Sequence, residues 1–322
     1  MTGRPRSAGA AESGASPRKR ARAAADRPPD RSPPPERTPD GAAARPGRSR
    51  ARTPRGTDSA GANGQRGSWA GANWSAPARL GATGRLAAYP LRGVWLIEVD
   101  PPYDDIADEV DHSIQMALAE CPRGVVCSLT GALDGTTDAA LDVLAATGRH
   151  VTPWPATPVV IASREGSAAA VLAGRSGSQG LSYASSMLHG WTQVMTRKSP
   201  PTAHLRLGPG AMAARNARRF LIRCCLDWGL NQQLASGPLV VSELVTNAIQ
   251  HANTDIEIFL AADSGRLRVG VRDRNPAPPV TRTTAPDALG GRGLRVVEAL
   301  ARSSGAFPTV DGGKFVWAVL GA

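Results

Sequence analysis

The sequence predicts an α+β protein in which an α/β unit precedes a second unit built on antiparallel strands, and three observations predict it. Between residues 86 and 195 apolar strand-like runs alternate with amphipathic helical ones, the pattern of a sheet with helical crossovers and at least partly parallel pairing. From 201 to 322 two helical segments are followed by a hairpin, another helix and a closing pair of strands. Such an order places helices on one face of one sheet. Residues 1–80 carry neither pattern: they are rich in Pro, Gly, Ala and Arg and poor in large apolar side chains. A segment of that composition cannot bury enough surface to offset its ordering entropy, so 1–80 reads as a disordered basic tail.

In the first unit, apolar periodicity begins near Leu86, and RGVWLIEVD (92–100) reads as a strand closed by Pro101 and Pro102. Ile106, Val110, Ile114 and Leu118 then recur every four residues, as on one face of a helix that CPRG ends. GVVCSLTG (124–131) is a short apolar strand, TTDAALDVLAATG (136–148) a helix ending at Gly148, and TPVVIAS (157–163) a further strand. A small-residue segment and a weaker helix around 181–195 follow, and RKSPPTAH (197–204) breaks the pattern as a linker. The second unit opens with a helix from about Pro209 to Trp228. Ser236 is placed to cap the next helix, which tolerates Pro238 in its first turn and runs to Ala252. TDIEIFLAA and RLRVGVRD, joined by DSG, make a hairpin. A long Pro-, Thr- and Gly-rich loop leads to the helix GLRVVEALARSSG, and FPTV and GKFVWAVL close the chain as strands.

Charge is distributed unevenly. Residues 1–80 hold 16 of the 38 basic and 6 of the 27 acidic residues, a net of +10, which leaves 81–322 at +1. The high pI therefore belongs to the tail, and a nucleic-acid-binding reading rests on that arm alone. Only Lys19, Lys198 and Lys314 are lysines, an Arg-heavy usage typical of GC-rich coding sequence. No apolar run approaches the roughly 20 residues of a membrane span, and no apolar stretch follows the N-terminal basic residues as in a secretory signal. Cys121, Cys127, Cys224 and Cys225 lack zinc-site spacing and read as reduced thiols of a cytoplasmic protein.

Three local features of the second unit carry chemistry. In ELVTN, Glu243 and Asn247 stand at i and i+4 and so share one helical face. A carboxylate and an amide one turn apart suit a hydrated magnesium ion or a proton acceptor; they equally suit a plain polar stripe. In VRDRNP, Asp273 ends an alternating strand, where it either faces a pocket or serves the turn. In LGGRGLRVV, Gly290, Gly291 and Gly293 precede an apolar helix, where backbone N–H groups and the helix dipole favour phosphate.

In order and spacing these features resemble the GHKL (Bergerat-type) ATP-binding α/β sandwich of gyrase, MutL and histidine kinases. ELVTNAIQH matches the N box, RDRNP stands at the first glycine box and GGRGL matches the second. The closing GGKFVWAVL looks most like the anti-sigma-factor serine/threonine kinases and their single-domain relatives in actinomycetes. The resemblance, over 201–322, implies bound ATP and Mg. It gives Glu243 the part of catalytic base, Asn247 that of magnesium ligand and Asp273 that of adenine partner, with Gly291 and Gly293 shaping the phosphate lid. One departure is plain: Asn275 stands where the first glycine box has glycine, and Asn tolerates a left-handed backbone better than most residues.

Residues 86–195 resemble a STAS domain, the fold of anti-sigma-factor antagonists, through strand–helix order and SLTGALDGTTDAALDVLAATGR. The resemblance makes Thr136 and Thr137, at a helix start, candidate phosphoacceptors; the alternative is that they only cap the helix. Gly135 replaces a hydroxyl residue of the family pattern and Asp138 its glycine.

The leading expectation is an ATP-binding anti-sigma-factor-type regulator, a serine/threonine kinase in a partner-switching system of transcription control. Its partner would be a sigma factor, an anti-sigma-factor antagonist or another transcriptional regulator, with no membrane role, and the kinase family is usually dimeric. The alternative is a non-catalytic interaction module, with or without nucleotide, that sequesters a regulator. A nucleic-acid-binding protein is the weakest of the three readings.

Overall fold

The computed structural model describes residues 84–154, 156–164, 166–279 and 293–321. The expected disordered tail lies outside the described residues. All of the described residues fall in one compact unit of the chain.

The first sheet begins with a hairpin, β1 (Leu86–Leu91) and β2 (Val94–Val99). Arg92 and Gly93 both take positive φ, as a two-residue hairpin turn requires. α1 (Ala107–Ala119) leads to β3 (Gly124–Leu129), and α2 (Asp138–Ala146) with a 3₁₀ turn (Thr147–His150) leads to β4 (Val159–Ser163). α3 (Gly166–Ala173), β5 (Leu181–Ala184) and α4 (Met187–Thr196) complete it. The order is β1-β2-β3-β4-β5, with β1 antiparallel to β2 and the other pairs parallel. β2, β3 and β4 are apolar on both faces because both are covered: Ile97, Val125, Cys127 and Ile161 join the core with α1 and α2, while Leu96, Val126 and Val160 meet Val194 of α4. β1, α3 and β5 are additions to the sequence expectation. β5 is four half-buried residues, and α3 is a run of small residues with little contrast between its faces.

The second sheet contains β6 (Thr202–Leu207), β7 (Ile256–Asp263), β8 (Arg266–Asp273), β9 (Ser303–Pro308) and β10 (Lys314–Leu320). It runs β6-β7-β8-β10-β9, antiparallel throughout. α5 (Ala213–Asp227), α6 (Gly237–Ala252) and α7 (Gly293–Leu300) cover one face. α6 holds itself there through Val240, Val241, Leu244, Val245 and Ala248, the larger of which are worth about 1.5–3 kcal/mol each on full burial. Ser236 occupies the N-cap position of α6, but its side chain makes no capping bond; Pro238 in the first turn presets the backbone instead. The segment expected as a linker to 204 already contains the start of β6, an edge strand whose Ala203, Leu205 and Leu207 lean on the core. The last helix stops at Leu300 rather than reaching SSG, which enters β9; a Cβ at Gly305 would stand 2.7 Å from the Trp317 ring across the ladder.

The opposite face of this sheet was expected to be free of helices, and it is not. Phe307, Phe315, Trp317 and Val319 share one continuous apolar cluster with α1, Trp154 and Leu118 of the first unit. Gly270 makes room for this layer, since a Cβ there would lie 2.1 Å from the Phe315 ring. Arg272 anchors the junction from β8: it is paired with Glu120 and donates to the Ala119 carbonyl at 3.3 Å. His150 meets Phe307 edge-on with ring centroids 5.7 Å apart.

Candidate functional site

Alternation along β8 sends Leu267, Val269 and Val271 into the helix-side core, and Asp273, next in that series, follows them. Its side chain is 1% exposed. Oδ1 accepts from the Lys314 ammonium at 2.9 Å and from the Asn275 backbone N–H at 2.8 Å. Oδ2 is buried with no partner among the described residues. Burial pushes the Asp273 carboxyl above its ordinary value of 3.8, and the Lys314 and Asn275 contacts offset only part of that. The result is a rigid carboxylate with one oxygen committed to the protein and one left bare on the α6 side of the sheet.

Asn275 holds the turn after Asp273 by a route other than a left-handed backbone, for it is not among the residues at positive φ. Its Oδ1 accepts from the Ala277 N–H at 2.9 Å and its Nδ2 donates to the His251 carbonyl in the last turn of α6 at 2.5 Å. The Lys314 ammonium donates to the Asn275 carbonyl at 3.2 Å. An amide side chain thus ties the end of β8 to the end of α6, which glycine could not do.

α6 carries the next groups upward in steps of four residues, about 6 Å each. His251 marks the level of the Asp273 turn, Asn247 stands one turn earlier and Glu243 one turn earlier again. Glu243 and Asn247 are half-buried, whereas Gln250 is exposed, so the pair does not lie on the solvent stripe of the helix. Neither side chain has a hydrogen-bond or ion-pair partner among the described residues. Gly293 opens α7 against Glu243: a Cβ there would stand 2.6 Å from Oε2. The first and third sequence features therefore meet directly, and the second lies two turns along the same helix. Gly291, expected to shape the lid with Gly293, lies outside the described residues.

The donor set fits the groups expected of it. An unpartnered, buried carboxylate oxygen is an acceptor awaiting an N–H, and an amine on a flat apolar base supplies one. Magnesium keeps most of its water shell and takes few protein ligands beside phosphate, so one amide oxygen from Asn247 is an adequate protein share. Among the described residues no cluster of three or more His, Cys, Asp or Glu side chains forms an all-protein metal cage.

Lys314 was not singled out in the sequence. The signal was available: it is one of three lysines in an Arg-rich chain and opens an otherwise wholly apolar strand, KFVWAVL. Its ammonium is buried and its β8 neighbour in register is Asp273 itself.

In the first unit, Thr137 is the N-cap of α2, its Oγ1 accepting from the Ala140 N–H at 3.4 Å. The same hydroxyl donates to Asp104, which also accepts the Thr137 N–H at 2.9 Å. Those bonds hold the Asp104 carboxyl below its ordinary value. Thr136 is half-buried beside it. The Thr137 hydroxyl is thus both a cap and an exposed group with a carboxylate at its side. The four cysteines are free thiols, with Cys127 pushed up to about 12 by burial. Among the described residues no helix is long and apolar enough to cross a membrane.

Residues 210–320 match the family model of the histidine kinase-like ATPase domain, about a third of the chain. The matched segment spans α5 through β10 and includes Glu243, Asn247, Asp273 and Gly293. This C-terminal part of the chain is thus similar to the histidine kinase-like ATPase domain, a family that points to ATP binding. No curated protein is significantly similar to the chain.

Proposed function

We propose that the chain is an ATP-binding regulator of the anti-sigma-factor serine/threonine kinase type, acting from the cytoplasm in a partner-switching system of transcription control. The observation that carries the nucleotide site is the bare, buried Oδ2 of Asp273, aligned along α6 with Asn247 and Glu243. In this reading Oδ2 accepts the adenine amino group, while Lys314 and Asn275 hold the carboxylate in place. Asn247 would hold magnesium through its side-chain oxygen, and the bound ion would neutralise charge on the phosphates. Glu243 accepts the proton of a Ser or Thr hydroxyl as that oxygen takes the terminal phosphoryl group, and ADP leaves. Positioning and charge neutralisation suffice for such transfer; no covalent intermediate with the protein is needed. The first unit, with its β2–β5 parallel sheet, is read as a STAS-like module docked on the ATPase sheet, and the partner as a sigma factor or an antagonist protein.

A second reading, a nucleotide-binding interaction module without transfer activity, is favoured by the Asp104–Thr137 contact. A phosphate on Thr137 would face the Asp104 carboxylate, a repulsive neighbour.

Glu243→Ala separates the two. Transfer of labelled phosphate from ATP to candidate antagonist proteins falls to background in the variant, while its affinity for ATP stays within about twofold. Undiminished transfer by Glu243→Ala removes that residue from the role of base, and absence of transfer by the wild type to any candidate favours the interaction module.

A further inference from the structure

A half-open cavity of about 540 Å³ lies at the junction of the two units, well away from the α6 face that carries Asp273. That volume lies within the range of about 300–1,000 Å³ common for small-molecule sites. Its wall includes Cys121 and Arg123 from the loop before β3, Trp154, His204 on β6, Phe259 on β7 and Arg268 on β8. Among the described residues no Asp or Glu lines it.

Arg268 is the decisive member. The residue is 8% exposed, and its guanidinium lies 5.6 Å from the Trp154 ring centroid and 5.7 Å from that of Phe315. It donates to the Cys121 sulfur at 3.0 Å and has no carboxylate within ion-pair distance among the described residues. Cys121 supplies no counter-charge, because burial pushes its thiol up. Nearby carboxylates are engaged elsewhere: Glu120 pairs with Arg272, Glu257 lies 3.9 Å from Arg272 and 3.7 Å from His204, and Asp111 is bonded to His150 and Arg149. A guanidinium does not shed its proton, so a buried one without a counter-ion is costly unless something anionic reaches it. Arg123 adds a second positive charge to the same wall, its Nη2 held by the Met195 carbonyl at 3.2 Å. Aromatic side chains line the same wall: Trp154 is buried beside the Arg268 guanidinium, and Phe259 is stacked with His204 at 4.5 Å between centroids.

We propose that this cavity is a second binding site, for a small organic anion with an aromatic body. Arg268 and Arg123 take its carboxylate or phosphate, and its apolar body lies against the exposed side of the His204–Phe259 stack. The guanidinium fork matches either group in two-point geometry, and the rings favour a flat apolar body. This site owes nothing to the nucleotide reading. Its walls come from both units, so occupancy stabilises their docked arrangement.

Calorimetric titration of the full chain with 2-naphthoate, 1-naphthyl phosphate and neutral 2-naphthamide tests it. At least one anion binds, the amide binds at least tenfold more weakly, and the stronger of the two anions identifies carboxylate or phosphate as the natural group. Arg268→Met weakens the anion at least tenfold, and saturating ATP does not displace it. Thr202→Trp, on the cavity side of β6 opposite Ala261 and leaving Arg268 in place, abolishes binding; it decides the matter alone if Arg268→Met does not fold. The proposal is overturned if neither anion binds at millimolar concentration, if the amide binds equally, if ATP competes, or if the folded variants bind as the wild type does.

Discussion

Replacing Lys314 by Met removes the ammonium paired with Asp273 while keeping most of the aliphatic stem. Asp273 is then a buried carboxylate with one backbone N–H for company. The penalty of leaving it ionised has a ceiling, because the group can protonate instead. From the ordinary value of 3.8 to pH 7, at about 1.36 kcal/mol per unit, that ceiling is about 4.4 kcal/mol. At pH 5 the same interval allows about 1.6 kcal/mol. Asp273 already stands above 3.8 in the wild type, so the pH-dependent cost of the variant lies below each ceiling. Loss of a partner from a buried pair typically costs about 3–5 kcal/mol. The expected loss is therefore about 3–4 kcal/mol at pH 7, shrinking by at least half at pH 5. The lost bond to the Asn275 carbonyl adds about 1 kcal/mol at both. The sign follows from linkage: an acid with a raised folded pKa is most favourable to folding below its unfolded value, and that contribution disappears as pH rises through the folded one. Urea unfolding of wild type and Lys314→Met at the two pH values measures it. A loss equal at pH 5 and pH 7, or below 1 kcal/mol at pH 7, refutes the buried-pair description.

Two further outcomes follow from the packing. Residues 201–322 produced alone expose Phe307, Phe315 and Trp317, so the fragment self-associates in light scattering at micromolar concentration; a monodisperse monomer as heat-stable as the full chain would show that the junction contributes little. In the first unit, burial alone would raise the Asp111 carboxyl, but His150, Arg149 and Gln115 together hold it below 3.8. That lowered value stabilises the fold above 3.8, and the contribution is lost as pH falls through the folded value. Asp111→Ala costs about 2–4 kcal/mol at pH 7 and flattens the acid limb of the stability profile; an unchanged limb would remove the network from the account.

The parts of the fold legible in the sequence are those with strong local signals. β2, β3, β4, β7, β8 and β10 are apolar or alternating runs with turn residues at their ends, and α1, α5 and α6 have a clear apolar face. β5 and β6 are hidden because short or edge strands bury only half their residues; of β9, expected as FPTV, only the start is hidden, because Ser303, Ser304 and Gly305 look like a helix end until the Trp317 ring above them is known. At the site, helical and strand periods suffice to put Glu243 above Asn247 and to turn Asp273 inward. The Lys314–Asp273 pair joins residues 41 positions apart, and the Asn275–His251 bond spans 24; no local pattern announces either. The covered outer face was invisible for a related reason: Phe315 and Trp317 sit in a strand that is apolar on both faces, and the sequence does not say that α1 supplies the second cover.

Calorimetric titration of ATP into the full chain and into Asp273→Asn, with and without magnesium, bears most directly on the proposed site. Binding that needs Asp273 and tightens with magnesium is the predicted result, and in the wild type it weakens as pH falls through the raised Asp273 pKa, where Oδ2 ceases to be a free acceptor. A well-folded wild-type chain that takes up no ATP, or takes it up as well with Asn at 273, would contradict the account.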